Sequence, residues 1–515
     1  MTSPGPVPAP LSLDARAAAP LRLAGGVAID GPADAAAALE RLIAARTGLP
    51  VALDGAPAPA RIALTVTDDG APESYRLAVD EHGATIAGAD AAGLFYGIQT
   101  LAQLIERDDD AWTVPAVRVE DAPRFAYRGV MLDVARHFHP VETVKAYIDR
   151  AAGLKFNHFH LHLSDDQGWR LEIASRPELT ARASGSSIGG DPGGRYTQDD
   201  YRELVAYAAA RHLTVVPEID LPGHTHAVSL AYPELSEEPV LSDEVRRVVR
   251  EFGGDLPRNG APYDGLAVGF SSLRIHDEAT YAFVSDVLAE VAALTPGPYL
   301  HVGGDEALGT PPEDFAYFVE RVTRIAADTG KTPVSWHEAG AIGDRLAAGT
   351  IGQYWGYRTP TGGMDDKARA FVDRGGRVIL SPADAVYLDM AYAADAPFGL
   401  RWAGVVDARQ AYEWEPAEVV DGIGEAGILG VEAPLWTETV RDLATIDALA
   451  FPRIAAAAEA AWSPALGTTP QRSWASFRER VGRLAPLWTA LGIGYTPLDD
   501  FPWAVEQPTT DRSLT

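Results

Sequence analysis

The segment of this chain most loaded with chemistry is Tyr299-Leu300-His301-Val302-Gly303-Gly304-Asp305-Glu306. An apolar run ends in two glycines, and two carboxylates follow side by side. Glycine lets a backbone bend sharply or run close to a ligand. On an ideal strand, neighbouring side chains point to opposite faces, so Asp305 and Glu306 reach one ligand only if the backbone leaves the ladder. The same arrangement, reactive side chains directly after an apolar run, recurs along the sequence. Asp133 and Arg136 follow one run, Asp165-Asp166 with Trp169 another, and Glu218, Asp220, His224 and His226 a third. Later runs lead into Trp336-His337-Glu338, Trp355, Tyr387 with Asp389, and Trp436 with Glu438. Many carboxylates, one early Arg and several Trp form the combination that glycosyl transfer needs. A carboxylic acid protonates the leaving oxygen, other carboxylates bind hydroxyls, and aromatic faces lie against the C–H surface of a sugar.

The elements that position these residues are legible in the spacing. Apolar runs at 129–133, 157–163, 214–219, 299–303, 333–336, 351–355, 378–380 and 429–431 read as eight strands. Helix-period stretches at 141–153, 198–212, 277–294 and 313–329 lie between them, and final helices are expected at 446–462 and 474–491. Strands alternating with helices in this way predict a (β/α)₈ TIM barrel over residues 123–515, of fold class α/β. In such barrels the chemistry sits at the carboxyl ends of the strands, where the candidate residues fall. Residues 1–122 read as a small α+β domain with a structural role. Its helices are expected at 33–46 and 91–105, its strands at 61–66, 75–79 and 84–87, and no catalytic constellation lies in it.

Composition narrows the function classes. A chain of 515 residues, 47% hydrophobic and 22% charged, supports a sizeable core and excludes a mainly disordered or fibrous protein. Asp and Glu outnumber Lys and Arg by 72 to 43, a net charge of −29, so neither nucleic acid nor an anionic membrane is an expected partner. The absence of cysteine excludes thiol catalysis, Cys-ligated zinc, iron–sulfur clusters and disulfides. No apolar run approaches transmembrane length, and residues 1–10 lack the basic start and apolar block of a signal peptide. The expectation is a soluble chain, cytoplasmic as written or secreted if a signal has been removed, with its oligomeric state open.

Residues 300–307 resemble the signature of glycoside hydrolase family 20, the β-N-acetylhexosaminidases. So do Met131-Leu132-Asp133-Val134-Ala135-Arg136-His137-Phe138, residues 160–169, and Pro217-Glu218-Ile219-Asp220-Leu221-Pro222-Gly223-His224. Gln353-Tyr354-Trp355-Gly356, Tyr387-Leu388-Asp389 and residues 431–438 continue the match through the barrel. The resemblance implies an exo-acting retaining enzyme that removes terminal β-linked N-acetylglucosamine or N-acetylgalactosamine from glycans without cofactor or metal. The substrate's own acetamido oxygen would be the nucleophile, giving an oxazolinium intermediate. Glu306 would be the general acid and then the base, and Asp305 would hold the acetamido N–H. Adjacent carboxylates resist joint ionisation, which suits the pair to divided roles. Tyr387 would orient the acetamido oxygen, and Trp336, Trp355 and Trp436 would wall the sugar. Arg136, Asp389 and Glu438 would hold its hydroxyls, Asp165 and His224 would back the general acid, and Trp402 would support the next sugar. Glu338 and the long acidic segment 235–264 depart from the family pattern.

Two rival readings stand beside this one. His158, His160 and His162 share one face of the second strand, as metal-dependent TIM-barrel amidohydrolases arrange their ligands, or as inward-packed histidines would. A non-catalytic sugar-binding barrel would keep Trp and Arg and could discard the acid.

Overall fold

The eight runs form strands because each is too short for a helix, apolar throughout and bounded by turns. In the computed structural model, which describes residues 5–53, 58–108 and 111–504, they close into a parallel barrel. The strands are β1 (Tyr127–Asp133), β2 (His158–His162), β3 (Thr214–Glu218), β4 (Tyr299–His301), β5 (Thr332–Trp336), β6 (Ile351–Tyr354), β7 (Val378–Leu380) and β8 (Ile428–Ala433). Strand β8 returns to β1, with Gly430 opposite Tyr127. Burial along the whole of β1 and β8 marks strands covered on both faces.

Between the strands run the helices Val141–Gly153, Gln198–Ala209, Glu278–Leu294 and Pro312–Asp328. Thr197 and Asp200 form a reciprocal capping box at the start of the second, and the Asp277 side chain caps the third. The single helix expected over 446–462 is two, Leu443–Ala450 and Arg453–Trp462. Pro452 offers no N–H and pushes Phe451 out of the helical region, to ψ 129°. Tyr127, Val216, Val334, Ile351, Ile379 and Leu429 form an apolar layer across one end of the barrel interior.

The compact unit holding the barrel comprises residues 125–152 and 156–457. The other unit gathers residues 1–124, 153–155 and 458–515, so the last helix groups with the N-terminal sheet and not with the barrel as the sequence boundary places it. Buried pairing within this unit explains the grouping. Glu459 accepts from the Ala9 N–H at 3.0 Å and pairs with Arg472 at 2.8 Å and with Arg480, which also donates to the Pro6 carbonyl at 2.8 Å. Among the described residues the unit's larger sheet has seven strands, in the order Ser12–Ala15, Val117–Asp121, Tyr75–Asp80, Gly83–Gly88, Ala60–Val66, Val27–Asp30, Val51–Leu53. Three were expected, as short strands separated by turn signals. Helices Ala33–Thr47 and Ala91–Gln103 also belong to the α+β unit, the first ending at Gly48 in the left-handed conformation (φ 67°).

Candidate active site

After His301 the backbone of β4 leaves the ladder. Gly303 and Gly304 take φ of 67° and 104°, and Glu306 follows at 42°, a left-handed conformation that is costly for a residue with a side chain. The elbow is fixed from behind. Asp220, just past β3, accepts from the Gly304 N–H at 3.0 Å, and the Gly303 carbonyl accepts from the Trp336 N–H at 2.9 Å. A Cβ at Gly303 would lie 1.7 Å from Asp220 Oδ1, so no side chain fits there. The turn directs the two adjacent carboxylates toward one imidazole: His224 Nε2 lies 3.8 Å from Asp305 Oδ2 and 3.6 Å from Glu306 Oε2. Asp305 is buried, whereas the Glu306 side chain is 36% exposed at the mouth.

Behind this pair stands a charged relay. His224 Nδ1 lies 3.1 Å from Asp165 Oδ1, and the other oxygen of Asp165 meets Arg136 Nη2 at 2.9 Å and His162 Nε2 at 2.8 Å. Burial opposes charge on Asp165, but Arg136 and His224 overcome it and hold the carboxyl well below the usual range. Burial likewise opposes charge on His224, and Asp165, Asp305 and Asp220 reverse that and hold the imidazole well above its ordinary value. The carboxylates nearer the mouth shift the other way. Burial pushes Asp305 up, aided by the Glu306 charge and opposed by His224. Burial, then the charge of Glu438, raises Asp389, while Glu438 is pushed up to about 7 chiefly by burial.

Aromatic rings surround these groups. Trp336 and Trp436 lie 6.0 Å apart, Trp436 and Tyr387 6.4 Å, Tyr387 and Trp402 5.7 Å, and Trp402 and Trp355 5.8 Å. The Arg136 guanidinium sits over the Trp436 ring at 4.8 Å. Trp336, Trp436 and Tyr387 are buried, Trp355 is half-buried and Trp402 is exposed. Among the described residues, Asp305 Oδ1, Asp389 Oδ2, Glu438 Oε2 and Arg136 Nε are buried polar atoms with no hydrogen-bond partner in the protein. An aromatic ring bearing unsatisfied acceptors is fitted to an apolar-faced ligand rich in O–H and N–H groups.

Comparison with known proteins identifies the lineage. The catalytic domain of glycosyl hydrolase family 20 matches residues 125–315 and 308–465, and domain 2 of that family matches residues 4–122. The chain belongs to glycosyl hydrolase family 20. A β-N-acetylhexosaminidase from Cellulomonas fimi is 41% identical over 456 residues, spanning 87% of this chain and 85% of its own. A solved family 20 β-N-acetylglucosaminidase is 61% identical with a TM-score of 0.91, covering 98% of this chain and 100% of that one. A Streptomyces plicatus β-hexosaminidase variant solved with its product GlcNAc is 40% identical with a TM-score of 0.86, covering 98% and 99%. This family 20 protein is therefore a glycoside hydrolase, a β-N-acetylhexosaminidase acting by the retaining, substrate-assisted chemistry of its family.

The family assignment removes the amidohydrolase and non-catalytic readings, and the geometry gives the histidines another purpose. His158 stacks on Tyr127 at 4.0 Å. His160 lies 2.9 Å from Glu432 and 3.1 Å from Glu218, and His162 bridges Glu218 and Asp165. His301 Nδ1 is 3.0 Å from Glu218 Oε1, which also accepts from the Trp336 indole N–H at 2.8 Å. His160, Glu218 and His301 are close enough to hold an ion, yet each is engaged in this buried network within the family 20 barrel. Asp133, Glu218, Asp220 and Glu338 stand at strand ends in the sequence without an evident role there. Asp133 accepts from the Ala135 and Arg136 N–H groups and from that of Thr437. Their position after apolar runs was the available signal. The acidic segment after β3 carries the helix Asp243–Phe252, with Val245, Tyr263, Ala267 and Phe270 packed in a cluster of their own.

Proposed function

We propose that this β-N-acetylhexosaminidase removes terminal β-linked N-acetylglucosamine or N-acetylgalactosamine, with Glu306 as general acid and base and Asp305 as the group that orients the acetamido nitrogen. The observation that carries the assignment is the elbow at Gly303-Gly304, which sets both carboxylates against His224 inside the aromatic ring. The acetamido oxygen attacks the anomeric carbon while Glu306 gives its proton to the departing glycosidic oxygen. The C–O bond to the leaving group breaks and the oxazolinium ring closes. Glu306, now ionised, takes a proton from the water that reopens the ring, and configuration is retained.

Asp305 accepts from the acetamido N–H, and its attraction grows as positive charge develops there. Its burial therefore stabilises the transition state more than the ground state. Tyr387, whose phenol burial holds firmly neutral, donates to the acetamido oxygen. Arg136, Asp389 and Glu438 hold the ring hydroxyls through the polar atoms that lack protein partners. Trp336, Trp355 and Trp436 enclose the sugar, and exposed Trp402 receives the next residue of the glycan. Asp165 and His224 position Glu306 and supply compensating charge.

A chromogenic panel tests the reading. The β-N-acetylglucosaminide and β-N-acetylgalactosaminide should be cleaved and the plain β-glucoside spared, with no effect of a chelator. Cleavage of the plain glucoside at a comparable rate would overturn substrate assistance.

A further inference from the structure

Glu338, on the turn that follows β5, has no part in the chemistry described so far. Its Oε2 accepts from the Trp355 indole N–H at 3.0 Å and lies 3.4 Å from His337 Nδ1. The side chain is 21% exposed, and the charges of Asp305 and Glu306 lie close enough to act on it. Among the described residues, the other ring contacts of Trp355 are edge-on, with His337 at 5.5 Å and Trp402 at 5.8 Å. The other buried walls differ: Trp336 is tied through its indole N–H to Glu218, and Trp436 is clamped between Arg136 and His162. Glu338 is thus the polar anchor of the one half-buried wall of the acetamido pocket.

We infer that Glu338 is a specificity-determining positioning residue: by tethering the Trp355 indole it fixes the depth of the pocket for the N-acyl group and so excludes acyl chains longer than acetyl. The inference rests on the proposed site assignment, which makes Trp355 a wall around the acetamido group. Burial and then the charge of Asp305 push the Glu338 carboxyl up to about 8. At neutral pH the tether is therefore an uncharged acid, and it adds no negative charge beside Asp305. His337, the imidazole on the same turn, is held neutral by burial. A glutamine should reproduce the tether, because its amide oxygen can accept the same indole N–H.

The test measures kcat/KM for aryl β-glycosides of N-acetyl-, N-propionyl- and N-butyrylglucosamine. The ratio between substrates does not depend on the fraction of folded enzyme. In E338A and E338L the preference for N-acetyl over N-propionyl should fall about tenfold, the scale on which one methylene is discriminated in a pocket. E338Q should keep most of the preference. W355A should lose it too, and adding E338A to W355A should change the ratio no further, as expected if one residue acts through the other. An unchanged ratio in E338A and E338L, or a loss in E338Q as large as in E338A, overturns the inference. A wild type that cleaves the plain glucoside as readily as the N-acetyl sugar would instead overturn the site assignment beneath it.

Discussion

The barrel interior contains two clusters of buried acids, and they are treated in opposite ways. On the floor, Glu218 and Glu432 are surrounded by His160, His162, His301, Tyr127 and Gln353. Burial alone would raise both carboxyls, but the imidazoles bring them below the usual range, and burial of His160 is likewise overcome, to about 9. At the mouth, Asp305, Asp220, Asp389, Glu438 and Glu338 have too few cations, and all five shift upward. A satisfied cluster holds its shape and its charge. An unsatisfied one keeps its affinity for protons and donors, which is what a glycosidase must offer its substrate.

Substitutions should separate the two clusters by what they damage. The largest effect is expected from Glu306→Gln, which should lower kcat about 10²–10⁴-fold, the usual worth of a general acid, while GlcNAc still binds. Kinetics and product titration on the same preparation check it. On the floor, Glu218→Leu should leave the histidines without their charge partner and cost about 3–5 kcal/mol of stability, read by denaturant unfolding. Asp305→Asn should lower kcat by about 10²–10³-fold and leave the thermal midpoint unchanged or higher. A comparable loss of stability in Asp305→Asn would erase the distinction between floor and mouth.

A smaller effect follows from pH. Glu338 and Glu438 bind protons more tightly when folded, at about 8 and 7, than an ordinary glutamate does at 4.5. Their contribution to stability is complete below about 4.5 and is lost as pH rises through 7 to 8. The thermal midpoint should fall over that window, and Glu338→Gln should flatten the upper part. The smallest effect is expected from Trp402→Ala, which should weaken kcat/KM on oligosaccharides by about tenfold through one lost stacking contact and spare small aryl glycosides.

The barrel was legible because its strands repeat and each carries its chemistry at the same end. The Gly303-Gly304-Asp305-Glu306 sequence announced an exit from the ladder, and the positive φ values are that exit. The small unit was read less fully. Val27–Asp30 and Val51–Leu53 are too short for alternation to show. Pairings over long separations escaped as well: His160 with Glu432, Trp355 with Glu338, Glu459 with the N-terminal strand region. Local periodicity records which face a residue takes, not which partner waits there.

The uneven exposure of the tryptophans has an optical consequence. Trp336 and Trp436 lie almost wholly inside, whereas Trp402 is 47% exposed at the mouth. A collisional quencher in solution will reach Trp402 well before those two. On the proposed site assignment a glycan lying across the mouth will shield Trp402, and a loss of quenching on adding an oligosaccharide would report occupancy beyond the first sugar.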